Sequence, residues 1–181
     1  MNLKNIKSIT VVCAGNICRS PIGEVVLKQK LSEVGLDIEV NSAGTGNWHE
    51  GENANAKSIK VLTEKGYVIN HTAKQFKTNW FVEKDLILVM DQQNERDLLS
   101  IAPVEYKNKI KYFREFDKSI DSKDKKDFIV PDPYYEPLES FYEVLEMLEK
   151  ASIDLVKEIK KAQQWSWAFK LFTIYQQYWL W

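Results

Sequence analysis

Both cysteines of the chain fall in one stretch, Val11-Val12-Cys13-Ala14-Gly15-Asn16-Ile17-Cys18-Arg19-Ser20-Pro21. The residue types there describe a nucleophile seated in an anion cradle. A loop that leaves a strand and enters a helix aims several backbone N–H groups into one hollow, and the helix dipole adds to their field. Gly15 permits close backbone approach, and Asn16 tolerates the left-handed conformation that such loops often need. A thiol held there ionises more readily than a free one. Arg19 adds a planar fork of donors suited to two oxygens of a phosphate. The helix is expected to begin around Ser20 and Pro21, serine as cap and proline in the first turn. Taken alone, a cysteine at a strand end is usually a small buried hydrophobe. A Gly, an Asn, an Arg and a Ser-Pro in the same loop have no packing rationale, however, and the string does not follow the usual nucleotide-binding glycine patterns.

The elements that would position this loop follow from hydrophobic periodicity. Runs rich in β-branched residues, SITVVC, IEVNSA and DLILVM with the weaker KIKYF, alternate with segments of helical period. The helical segments are about 21–34, 53–65, 94–101 and 140–161; the last carries an apolar stripe of Phe141, Val144, Leu145, Leu148, Leu155, Val156 and Ile159. This alternation predicts a single α/β domain: a four-stranded parallel sheet with helices on both faces and the anion-binding loop after the first strand. Residues 117–128 are charged and aperiodic and read as an exposed loop.

At 181 residues the chain suits one domain. A net charge of −1 gives no general drive toward nucleic acid or an acidic membrane face. The start is a short apolar run entering a glycine loop, not a secretory leader, and reads as the first strand of a cytoplasmic protein. Two adjacent cysteines make no disulfide framework, and with two histidines they argue against a structural zinc site; no metal or cofactor is expected.

The string C-x-G-N-I-C-R-S-P near the N-terminus resembles the low-molecular-weight protein tyrosine phosphatases. The likeness continues through NSAGTGNWHEG, HTAKQF, DLILVMDQQNERDL and VPDPYYE, covering about residues 7–160. Other tyrosine phosphatases share C-x5-R but place a His before the Cys, where this chain has Val12. The resemblance implies a metal-independent, two-step reaction on phosphotyrosine-containing proteins. In it Cys13 attacks phosphorus, Arg19 and the amides of Ala14, Gly15, Asn16, Ile17 and Cys18 bind the phosphoryl oxygens, and Ser20 donates to the Cys13 thiolate. Asn16 holds the loop with Ser42 and His71. Asp132, an Asp-Pro that alone would read as a turn former, becomes the general acid and then the base. Trp48, Tyr134 and Tyr135 wall a slot suited to a flat aromatic ester, while His49 is a rim residue without a catalytic role. Cys18 is either a redox partner that traps oxidised Cys13 as a disulfide or a small buried residue under the loop. Gly23, where relatives often carry Ala, is expected only to weaken the first helix slightly.

Three alternatives stand beside this. A phosphoarginine phosphatase of the same fold carries Thr where this chain has Ile17. An arsenate reductase needs further cysteines downstream, and none follows Cys18. A binding module that recognises phosphoproteins without cleaving them would be expected to lack Cys13, Arg19 or Asp132, all of which are present. The phosphatase domain is assigned to residues 1–162. The remainder, 163–181, is an aromatic tail, expected to be helical, whose broad apolar face suits self-association, a partner, a membrane surface or packing on its own domain.

Overall fold

The computed structural model describes residues 3–178, with side chains through Gln164. Every residue of β1 (Ser8–Cys13) and β3 (Leu86–Val89) is buried, as expected of strands covered on both faces. With β2 (Glu39–Gly44) and β4 (Ile110–Tyr112) they form one parallel sheet in the order β2-β1-β3-β4. Because successive side chains alternate, Ile9, Val11, Leu86 and Leu88 enter one core and Val12, Ile87 and Val89 another.

The first core is closed by α1 (Arg19–Glu33), α2 (Ala56–Glu64) and α5 (Leu138–Tyr178). The second is closed by Phe81 of α3 (Trp80–Glu83) and Leu98 of α4 (Gln92–Ile101). Helices therefore cover both faces, as the sequence implied. All seven stripe residues of α5 are buried, each contributing on the order of 1.5–3 kcal/mol where a Val, Leu, Ile or Phe leaves water. α3, with its single turn, is too short for periodicity to reveal. The contacts expected of the aromatic tail depend on side chains from Trp165 onward, and its last residues, 179–181, also lie outside the described residues. Among the described residues no helix is long and apolar enough to cross a membrane.

The sheet order creates a crevice. The chain leaves β1 toward β2 on one side, while β3 lies on the other, so the loops after β1 and β3 diverge at their carboxyl ends. The Cys13 loop opens there.

Three local expectations need correction. α1 starts at Arg19, with Cys18 at the capping position and no side-chain cap. Ser20 therefore lies inside the first turn with its hydroxyl turned to other partners. Pro21 is the third helical residue, where its missing N–H leaves no intrahelical bond unmade. The 117–128 loop is mostly exposed, but Asp117 is buried and accepts hydrogen bonds from the Ser119 N–H and hydroxyl, and Lys125–Phe128 form a 3-10 turn.

Gly23 is the third correction, for it is a packing residue. A Cβ there would stand 2.8 Å from Phe113 Cε1, 3.0 Å from Val11 Cγ1 and 3.3 Å from Met90 Cε, so α1 can lie this close to the sheet only without one. Gly23→Ala should lower stability by about 1 kcal/mol, overpacking of ~1–3 kcal/mol outweighing the ~1 kcal/mol gain in helix propensity. Denaturant unfolding measures this, and a stabilised variant would show that the packing gives way.

Candidate active site

Cys13 ends β1, and the next residues turn away from the sheet. Asn16 takes the left-handed conformation (φ 57°), as its type suggested. The turn is fixed from outside by the residues that follow β2. Thr45 N–H donates to the Cys13 carbonyl at 2.9 Å and Gly46 N–H to the Ala14 carbonyl at 2.9 Å. At Gly44 a Cβ would fall 2.6 Å from the Ala14 carbonyl oxygen, so only glycine admits this approach.

Under the loop runs a polar network. Asn16 Nδ2 donates to Ser20 Oγ (2.9 Å) and Ser42 Oγ (2.8 Å), and Asn16 Oδ1 accepts from the Lys74 N–H (2.9 Å). His71 Nε2 lies 2.7 Å from the Asn16 carbonyl, which can only accept, so that nitrogen carries the proton. Burial pushes the His71 imidazole below its ordinary value, against the pull of the Asn16 carbonyl and Glu24. Ser42 Oγ in turn donates to Glu24 Oε2 at 2.5 Å. At the other end Ser20 Oγ stands 3.0 Å from Cys13 Sγ. Asn16, Ser20, Ser42 and His71 thus meet as expected; Glu24, at the outer end, was missed.

Arg19 is 2% exposed despite its charge. Its Nη1 donates to Asp91 Oδ2 (2.6 Å) and the Val130 carbonyl (3.1 Å), and its Nη2 to Asp132 Oδ2 (2.6 Å). Burial works against the charge, but Cys13, Asp132 and Asp91 outweigh it and hold the guanidinium above its ordinary value. Nε is buried without a hydrogen-bond partner among the described residues. Asp91 was also missed. Its Oδ1 caps α4 by accepting from the Asn94 N–H at 2.8 Å, while Oδ2 holds Arg19. An Asp immediately before a helical segment reads as a cap alone.

These groups open into a cavity of about 410 Å³. Cys13, Ala14, Gly15, Ile17, Cys18, Arg19, Trp48, His49, Asp132, Tyr134, Tyr135 and Glu136 line it; Asn16 and Ser20 are buried beneath it, and Trp48 is 70% exposed. Tyr135 is 92% exposed and stands at the rim rather than in a deep wall. Tyr134 meets Tyr135 edge-on at 4.7 Å between ring centroids. Gly15 is shaped by His49, whose Cδ2 would lie 2.8 Å from a Cβ there, as well as by any ligand. Cys18 is free and buried, and burial, reinforced by Cys13, pushes its thiol up to about 12.

A thiol, a guanidinium and a carboxyl round one aromatic-rimmed hollow at the sheet's carboxyl edge define a thiol-dependent anion site, and the comparisons with known proteins agree. The family profile of low molecular weight phosphotyrosine protein phosphatase matches residues 8–165. The chain is 40% identical over 156 residues to the low molecular weight protein-tyrosine-phosphatase of Streptomyces coelicolor, covering 84% of this chain and 93% of that one. Its fold superposes on a protein tyrosine phosphatase of Entamoeba histolytica solved with Hepes in the active site, with a TM-score of 0.80 and 33% identity, covering 87% of this chain and 99% of that one. It is similar, more distantly, to the YwlE arginine phosphatase, with a TM-score of 0.77 and 25% identity, covering 87% and 98%. The chain belongs to the low molecular weight phosphotyrosine protein phosphatase family.

The double duty of Asp91 can be separated. Asp91→Asn keeps a good cap but removes the charge on Arg19, whereas Asp91→Ala removes both. Unfolding should find the Ala variant less stable than the Asn variant by ~1 kcal/mol, while both lose at least about tenfold in kcat/KM on an aryl phosphate. Unchanged kcat/KM in both would show that Arg19 does not need this anchor.

Proposed function

We propose that this protein hydrolyses phosphotyrosine in proteins by a cysteinyl-phosphate mechanism in which Cys13 is the nucleophile and Asp132 the acid. The observation that carries the reading is the convergence on one cavity of Cys13, backed by Ser20 at 3.0 Å, and Arg19, with its partnerless Nε and with Nη2 on Asp132 at 2.6 Å.

The phosphoryl group enters the cradle against the loop amides and Arg19, which are fixed before it arrives and so need little reorganisation. Its oxygens compete with Asp132 for the guanidinium, freeing the carboxyl to face the leaving oxygen. Cys13 sulfur bonds to phosphorus, the phosphorus–oxygen bond to the phenol breaks, and Asp132, released from Arg19 and carrying a proton taken from solvent, passes that proton to the departing oxygen. Water then attacks phosphorus and gives its proton to Asp132, and the sulfur leaves as a thiolate that accepts the Ser20 hydrogen bond. Tyr134 and Trp48 flank the aryl ring. Ile17, apolar and buried beside the cradle, offers nothing to a guanidinium, which favours phosphotyrosine over phosphoarginine. Cys18, buried and held protonated, does not compete with Cys13 as nucleophile.

Cys13→Ser should abolish turnover while an aryl phosphate still binds; retained turnover would exclude Cys13 as nucleophile. Asp132→Ala should slow phenyl phosphate by ~10²–10⁴-fold and p-nitrophenyl phosphate far less, since a good leaving group needs little protonation. Equal slowing of the two would remove Asp132 as the acid.

A further inference from the structure

Above the cradle, Trp48, His49, Asp132, Tyr134, Tyr135 and Glu136 line the mouth of the cavity. Its charged side chains and its histidine are Arg19, Asp132, Glu136 and His49. Three of these are engaged: Arg19 with Asp132, and His49 through Nδ1 with Glu52 Oε2 at 2.9 Å. Glu136 differs. Its carboxylate has no hydrogen-bond or ion-pair partner among the described residues, yet its backbone is fixed at both ends. The N–H donates to the Pro133 carbonyl at 2.9 Å, and the carbonyl accepts from Lys57 Nζ at 2.6 Å. Prolines at 133 and 137 stiffen the turn further. The result is an exposed, uncommitted negative charge in a defined place.

The two segments that carry this lining have the same sign. Residues 48–53 and 132–136 include Glu50, Glu52 and Glu136 but no Lys or Arg. Lys57, whose ammonium donates to the Glu136 carbonyl and stands 5.5 Å from the centroid of the Phe141 ring, keeps its charge and offsets one of these carboxylates. That this cavity receives a ligand is indicated separately by Cys13 and Arg19, which both line it.

We propose that Glu136 makes the enzyme select phosphotyrosines flanked by lysine or arginine. The inference deepens the phosphatase reading above and rests on it. With the phosphate on Arg19 and the ring beside Tyr134, the residues next to the phosphotyrosine pass over the rim. A cationic side chain there meets an unpaired carboxylate, and an acidic one meets Glu136 and Glu52 as like charges. Both partners are exposed, so each contact is worth about two- to fivefold, and the common sign of the rim adds to it.

The test uses the full chain and phosphotyrosine peptides identical except for Lys, Gln or Glu on both sides of the phosphotyrosine. The readout is the Lys-to-Glu ratio of kcat/KM. For the natural protein the ratio should be at least about fivefold at low ionic strength and fall as salt rises. In Glu136→Gln it should shrink by about two- to threefold, and in Glu136→Lys it should drop below one. A ratio of one or less in the natural protein, or a ratio unmoved by Glu136→Lys, overturns the proposal. p-Nitrophenyl phosphate is assayed alongside. Failure to turn it over would overturn the phosphatase reading itself, whereas normal turnover without a peptide preference overturns charge selection alone.

Discussion

The Arg19 guanidinium, almost wholly removed from water, is the constraint on which the site depends. Burying an unpaired cation costs several kcal/mol, so the fold must supply counter-charge where the side chain ends. It does so from separate stretches of chain: Asp91 after β3, and the Val130 carbonyl and Asp132 in the segment that precedes α5. The loop after β1 is thereby tied to the loop after β3, across the crevice that the sheet order opens. The tie is also chemically asymmetric. Asp91, committed to the α4 cap through its other oxygen, is a permanent anchor, whereas Asp132 is about half exposed and can exchange its place on Arg19 for a phosphoryl oxygen.

A second chain of polar contacts sets the direction in which protons point. Glu24 accepts from Ser42, which leaves the Ser42 oxygen to accept from Asn16; the other Asn16 amide hydrogen then goes to Ser20. With that lone pair occupied, the Ser20 hydroxyl hydrogen is free to turn toward Cys13, its alternative acceptor being the Ala43 carbonyl at the longer distance of 3.3 Å. A carboxylate near the surface thus fixes the polarity of a buried row ending at the thiol. Networks of this kind are sensitive to any unsatisfied member, and every link here has a partner.

Much of this was legible in the sequence because the signals are local. Strand runs, the apolar stripe of α5 and the Cys13 loop each declare themselves within one continuous segment, and the parallel sheet follows from their alternation. What stayed hidden is tertiary. Asp91 looks like an ordinary helix cap, since a cap and an arginine anchor use the same residue type and only the fold brings Arg19, 72 residues away, to its second oxygen. Gly23 looks like a weak helix residue until Phe113, Val11 and Met90 are seen around it. Ser20 looks like a cap because serine at a helix start usually is one; here the loop claims its hydroxyl first. In each case a residue with a good local explanation has a stronger non-local one.

The same geometry separates chemistry from selection. Cys13, Arg19 and the network beneath them are buried, where charges act strongly on one another and salt screens them little. Tyr135, Glu50 and Glu136 are exposed, where each interaction is weak and screened. Substitutions at the rim can therefore retune which proteins reach the cradle without moving the groups that cleave the ester, because the only covalent route between the layers is through turns already pinned by backbone hydrogen bonds. Asp132 is the exception: it pairs with the buried guanidinium while its backbone leads directly to Tyr134 and Glu136. Its Oδ1 accepts from the Tyr134 N–H at 3.1 Å, so the carboxyl that must release Arg19 is itself oriented by the segment that meets the substrate. A substrate that presses on Tyr134 acts on the acid as well as on the slot, and binding at the rim and protonation in the cradle are coupled through that one turn.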